Sequence, residues 1–226
     1  MVTVKICGVR RVVDALVAIK AGADEIGLLV GQRHASTDFV TEETAAEIVS
    51  VCVSMGRVTP VLVTHLTDPA EVDALARRIG ATEIQVHSEM PPEGLAWLKK
   101  QNVGMPGAGD YRLRKSWHVQ GPESLGYGEA YRGVADALLL DTANAATGQV
   151  GGTGKAHDWS LSAEIVRHFS GVPVIIAGGL NPENVAAAVR QIRPAGVDVN
   201  SGTKGADGFK DAARVRAFVQ AAKGAS

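Results

Sequence analysis

The sequence predicts an α/β fold, a (β/α)8 TIM barrel with a closed parallel eight-stranded sheet. Three observations carry this. Short β-branched runs alternate with longer amphipathic stretches along the chain, eight of each. The short runs are nearly all apolar, as strands buried on both faces are. Parallel neighbours need helical crossovers, and eight regular units without a long break favour closure over an open doubly wound sheet.

The elements follow in order. Strands are expected at 2–7, 25–30, 58–63, 83–87, 116–120, 137–141, 172–177 and 197–200. Helices are expected at 12–21, 41–55, 68–79, 92–100, 122–131, 160–169, 182–191 and 211–222. Thr41 caps a helix whose first turn carries Glu42 and Glu43. Asp68-Pro69 and Asn181-Pro182-Glu183 place Pro at a first helical position. Gly22 and Gly80 fall where helices should stop. The fifth unit is the least regular, with a glycine-rich turn over 104–110. All 226 residues read as one barrel domain, without linker or low-complexity tract.

Bulk composition removes several function classes. Net charge is -1, the pI is about 6.6 and aromatic residues make up 4%. No basic stripe or stacking platform for nucleic acid is evident. No apolar run approaches the roughly 18 residues of a membrane span, and the N-terminus opens straight into a strand rather than a signal peptide. The two cysteines, Cys7 and Cys52, lack metal-ligand spacing and fit a reducing compartment. We therefore expect a cytoplasmic protein, monomer or homodimer, without metal or cofactor.

In such a barrel the loops after the strands build the active site. Two features stand out there. Gly178-Gly179 and Ser201-Gly202 end the last two strands, where small residues let backbone amides approach a phosphate closely. Read alone, Gly-Gly is equally a tight turn. Cys7 and Asp141 end strands one and six. A thiol and a carboxyl with environment-shifted pKa values can act as base and acid near neutral pH. The residues by themselves leave Cys7 open to a packing role and Asp141 to a capping role. The run Gly151-Gly152-Thr153-Gly154-Lys155 lacks P-loop spacing, and reads better as a loop closing beside Asp141.

Taken together these motifs resemble the phosphoribosylanthranilate isomerase family of tryptophan biosynthesis. The carriers are Lys5-Ile6-Cys7-Gly8, Gln85-Val86-His87, Leu139-Leu140-Asp141-Thr142, Gly151-Gly152-Thr153-Gly154-Lys155, Ala177-Gly178-Gly179-Leu180-Asn181 and Asp198-Val199-Asn200-Ser201-Gly202, with Lys210-Asp211 behind them. The resemblance runs the full chain in order. It implies an Amadori rearrangement of a phosphoribosylamine to a 1-amino-1-deoxyribulose phosphate, with Asp141 as acid, Cys7 as base and no cofactor. It also implies substrate contacts from Lys5, Gln85, His87, Gly154 and Asp198.

The sequence departs from the family where the aglycone should bind. The family typically carries Ser-Pro-Arg-Tyr-Val, whose Arg is expected to hold the anthranilate carboxylate; here the run is Ser36-Thr37-Asp38-Phe39-Val40. After strand eight, Ser-Gly-Val-Glu has become Ser201-Gly202-Thr203-Lys204. Three readings follow. Asp38 recognises an amine or amide on a different aglycone; Lys204 or Arg33 takes over the carboxylate; or Asp38 faces solvent in a drifted loop. Other chemistries on the same barrel compete. An aldolase wants a strand-end Lys inside the barrel, and none is obvious. A metal-dependent epimerase wants acids beside His65 and His87, and none is evident. A non-catalytic scaffold has no need of both Cys7 and Asp141.

Overall fold

A computed structural model describes residues 1–31, 33–101, 110–119, 124–144, 149–150 and 159–226. Its strands and helices alternate: β1 (Thr3–Ile6), α1 (Val12–Ala21), β2 (Glu25–Leu29), α2 (Glu42–Met55), β3 (Thr59–Thr64), α3 (Pro69–Ile79), β4 (Glu83–Val86), α4 (Pro92–Lys99), β5 (Arg112–Val119), α5 (Ser124–Glu129), β6 (Ala137–Asn144), β7 (Gln149–Val150), α6 (Trp159–His168), β8 (Val174–Ile176), α7 (Val185–Ile192), β9 (Gly196–Val199) and α8 (Ala212–Lys223). Eight strands pair in parallel in the order β5-β4-β3-β2-β1-β9-β8-β6, and pairing of β5 with β6 closes the barrel. The two-residue β7, absent from the sequence expectation, pairs antiparallel with the end of β6. Among the described residues no helix is long and apolar enough to cross a membrane.

Local chemistry explains the boundaries. Thr41 accepts from the Thr44 amide and Asp68 from the Ala70 amide, so α2 and α3 start where expected. Gly22 and Gly80 end α1 and α3 in the left-handed region, at φ 86° and 76°. Helix α7 begins three residues after Pro182. Asn181 and Asn184 bond each other's backbone amides, and this bracket forms a turn ahead of the helix.

Outward-facing residues such as Ile6, Ile26, Leu28, Ile84 and Leu140 join the core beneath the helices. The interior is not uniformly apolar. Near its N-terminal end Arg114 binds Glu25 through both nitrogens of its fork and reaches Glu83 at 3.1 Å. This triad corrects the expected start of β5, which lies at Arg112 rather than 116. A run reading Arg-Leu-Arg-Lys looks unlike a core strand until its interior guanidinium is neutralised by two carboxylates. Arg114→Met should therefore lower stability by about 3–5 kcal/mol, because it leaves the buried Glu25 carboxylate without its cation and Glu83 with Arg112 alone, at 3.3 Å. Urea unfolding at neutral pH checks this; a loss under ~1 kcal/mol would show the triad to be dispensable.

Candidate active site

The C-terminal ends of the strands surround a cavity of ≈ 540 Å³. Cys7, Asp38, Gln85, His87, Asp141, Gly178, Gly179, Asp198 and Ser201 all line it. The strand alternation brings them together: residues of one parity point inward, and the last inward residue of each strand reaches the mouth.

Cys7 continues β1 and is 7% exposed. Room for it comes from Gly27 on β2. A Cβ there would stand 2.7 Å from Cys7 Sγ and 2.9 Å from Lys5 Cε. One layer below the thiol, Lys5 Nζ donates to Gln85 Oε1 and to Asp198 Oδ2, the latter at 2.9 Å. Burial opposes the Lys5 charge, but Asp198 and Cys7 outweigh it and raise its pKa. Burial, then Asp198, push the Cys7 thiol up to about 11, while Lys5 and Lys210 pull the other way. Lys5 thus corrects the expectation that no strand lysine points into the barrel, and its ammonium is tied down in a buried ion pair with Asp198.

Asp141 lies across the mouth, 13% exposed, with its Oδ2 3.8 Å from His87 Nε2. This corrects the expectation that the strand-end histidines lack an acid neighbour. Burial, then His65 and His118, hold the His87 imidazole down at about 3. Burial, then His34 and His118, hold His65 at about 4. Both rings are neutral at physiological pH. They belong to a row of edge contacts along the wall: His34 to His65 at 4.8 Å between centroids, His65 to His87 at 5.0 Å and His87 to His118 at 5.5 Å. Phe39 packs on the outer end, 5.3 Å from His34 and 5.4 Å from His65. Among the described residues no group of three or more His, Cys, Asp or Glu is placed to hold a metal.

Gly178 and Gly179, after β8, both take positive φ, 81° and 66°. That conformation strongly favours glycine and turns the loop toward the cavity. Gly202, on the turn Ser201–Thr203 after β9, lies against the β8 loop, where a Cβ would meet Leu180 O at 2.0 Å. Gly202 thus holds the two small-residue loops together behind the cavity wall. Lys210 packs beneath, donating to Asn200 O at 2.8 Å and Asn200 Oδ1 at 3.1 Å. Burial lowers Lys210 to about 8.

The two charge-reversed positions meet each other. Lys204 Nζ donates to Asp38 Oδ1, and Asn200 Nδ2 donates to Asp38 Oδ2 at 2.8 Å. Burial would raise the Asp38 carboxyl, but these two bonds outweigh it and leave it below its ordinary value. Asp38 is only 15% exposed, so it does not face solvent in a drifted loop. Arg33 does not reach the cavity: half exposed, it pairs with Glu71 at 3.4 Å. Lys5 and Lys204 stand behind the wall rather than in it. Gly154 and its neighbours 151–158 lie outside the described residues. Sequence reasoning missed Gly27, Phe39 and His118 as site residues. Only the inward parity of β2 and β5 could have signalled Gly27 and His118.

The fold, with its cavity at the C-terminal ends of the strands, is that of a (β/α)8-barrel enzyme. The model of the N-(5'phosphoribosyl)anthranilate (PRA) isomerase family matches residues 4–221, and the chain belongs to that family. N-(5'-phosphoribosyl)anthranilate isomerase 2 of Methanosarcina mazei is 42% identical over 97% of this chain and 93% of its own length. The isomerase of Myxococcus xanthus is 42% identical over 98% and 96%. Among solved structures, phosphoribosyl anthranilate isomerase of Thermotoga maritima superposes with a TM-score of 0.80 at 30% identity, covering 99% of this chain and 100% of that one. A phosphoribosyl anthranilate isomerase in complex with reduced 1-(o-carboxyphenylamino)-1-deoxyribulose 5-phosphate superposes at 0.77, with 29% identity and the same coverage.

Proposed function

We propose that the protein converts N-(5'-phosphoribosyl)anthranilate to 1-(2-carboxyphenylamino)-1-deoxyribulose 5-phosphate, a step of tryptophan biosynthesis. The observation that carries this is the placement of Cys7 and Asp141 on one cavity, with the glycine loops of β8 and β9 at its edge. The substrate phosphate sits against Gly178, Gly179, Ser201 and Gly202, where small residues admit close approach to backbone amides.

Asp141 as the acid donates its proton to the ribose ring oxygen. The C1–O bond breaks toward that oxygen, and the nitrogen lone pair forms a C1=N iminium. Cys7 as thiolate then takes the C2 proton, and the C2–H electrons form C1=C2 while the iminium electrons return to nitrogen. The C2 hydroxyl of the resulting enol then gives up its proton to solvent as C1 takes one up, which leaves the C2 ketone. Burial and Asp198 raise the Cys7 thiol, and a cationic iminium beside the sulfur favours the thiolate. Gln85 and Asp198 fix Lys5 beneath the sulfur, and Lys5 keeps positive charge there.

The pairing of Asp38 with Lys204 and Asn200 speaks against an amine-bearing aglycone, because that carboxylate is already neutralised. The reading includes a cytoplasmic setting, where Cys7 stays a free thiol, and a monomer or homodimer. The test is complementation of a bacterial strain that lacks this isomerase. Growth without tryptophan is expected from the wild-type chain and not from Cys7→Ala. No growth despite folded, expressed protein would overturn the assignment.

A further inference from the structure

The proposed substrate has an aromatic ring with an ortho carboxylate, and the guanidinium that the family resemblance leads one to expect is missing. Among the described residues, the cations around the cavity have other partners. Lys5 holds Asp198, Lys204 holds Asp38, Lys210 holds Asn200 and Arg33 holds Glu71. What the cavity offers instead is the wall of His34, Phe39, His65, His87 and His118, which holds four of the chain's six histidines. Its outer end, Phe39, neighbours Asp38 in sequence, and His87 further along stands 3.8 Å from Asp141, so the wall runs from the second loop to the acid.

Two members of this wall have donor capacity to spare. His65 Nδ1 and His118 Nδ1 are buried without a hydrogen-bond partner, and both residues line the cavity. A neutral imidazole has one N–H donor and one acceptor nitrogen, and its tautomer follows whichever partner arrives. An unmatched imidazole in a low-dielectric wall gains more from an anionic acceptor than one in water. Phe39 and His34 present ring faces and edges at the distances aromatic pairs favour.

We propose that His65 is the specificity-determining residue of the aglycone subsite, donating to the ortho carboxylate of an aromatic amine whose ring packs on Phe39 and His34. The inference rests on the isomerase reading above and deepens it. Charge recognition by a guanidinium is replaced by hydrogen bonding from an uncharged ring, and the former charge position is closed by the Asp38–Lys204 pair.

The experiment compares kcat and KM for N-(5'-phosphoribosyl)anthranilate with those for the carboxylate-free N-(5'-phosphoribosyl)aniline, in wild type, His65→Phe and His65→Gln. Binding of free 2-aminobenzoate is measured alongside by calorimetry. The wild type should prefer the carboxylate substrate at least tenfold in kcat/KM. His65→Phe should bring that ratio toward one, chiefly through KM, and weaken 2-aminobenzoate binding about tenfold. His65→Gln, which keeps an N–H donor, should restore part of both. An unchanged ratio in folded His65→Phe, or equal loss on both substrates, overturns the role of His65 and leaves the isomerase reading standing. If the wild type turns over neither substrate yet binds 2-aminobenzoate in a His65-dependent way, the isomerase reading falls and the subsite stands. Absence of both turnover and binding overturns both.

Discussion

Cys7→Ala should lower kcat by about 10²–10⁴-fold, the usual contribution of a positioned acid or base. KM should change little, because the side chain lost is small and the phosphate loops are untouched. The prediction follows from geometry. Cys7 stands at the inner end of the cavity with Gly27 clearing its flank and Lys5 beneath it. Cys7→Ser should not rescue, since a hydroxyl is a much weaker acid than a thiol and reaches its anion less readily. The thiol pKa of about 11 also gives a pH signature. With the thiolate scarce in the free enzyme at neutral pH, the base-dependent limb of the wild-type kcat/KM profile should still climb above pH 7. A profile flat from pH 6 to 9, or a Cys7→Ala variant with near wild-type kcat, would remove Cys7 from the chemistry. A Cys7→Ala protein that loses its fold would be recognised by circular dichroism and replaced by Cys7→Ser.

Asp141→Asn should produce a loss of similar size, for the opposite reason. The amide is nearly isosteric but cannot give up a proton to the ring oxygen, so ring opening stalls. Its neighbour cannot substitute: His87, 3.8 Å away, is held near pKa 3 and carries no proton to donate as an imidazolium at physiological pH. Asp141→Glu should recover part of the rate and Asp141→Asn none, in an assay that follows loss of substrate fluorescence. If Asp141→Asn retained more than a tenth of wild-type kcat, the acid would have to be sought elsewhere on the wall.

Much of this arrangement was legible from residues alone. The nearly continuous apolar runs, the Thr41 and Asp68 caps and the Gly22 and Gly80 stops placed most elements within a few residues, because each reflects local backbone chemistry. The strand-end rule then brought Cys7, Asp141, Gly178, Gly179 and Ser201 to one mouth. What escaped depended on partners far away in sequence. Strand β5 begins at Arg112 because Glu25 and Glu83 neutralise Arg114 across the interior, 89 and 31 residues away. Asp38 and Lys204 read singly as two lost contacts; across 166 residues they are one ion pair. The wall draws each of its four histidines from a different strand end or loop, so no spacing in the sequence announces it. Arg33 and Lys204 show the reverse error, in which motif position was taken for placement at the cavity.

The most direct measurement is turnover of N-(5'-phosphoribosyl)anthranilate by the purified wild-type chain. The substrate is generated in place from anthranilate and phosphoribosyl pyrophosphate and followed by loss of its fluorescence. Saturable decay is expected, with kcat/KM in the range of working enzymes, about 10⁴ M⁻¹s⁻¹ or more. A folded protein that leaves the fluorescence unchanged would contradict it, and would mean that the closed Asp38–Lys204 pair and the histidine wall serve a different phosphoribosylamine.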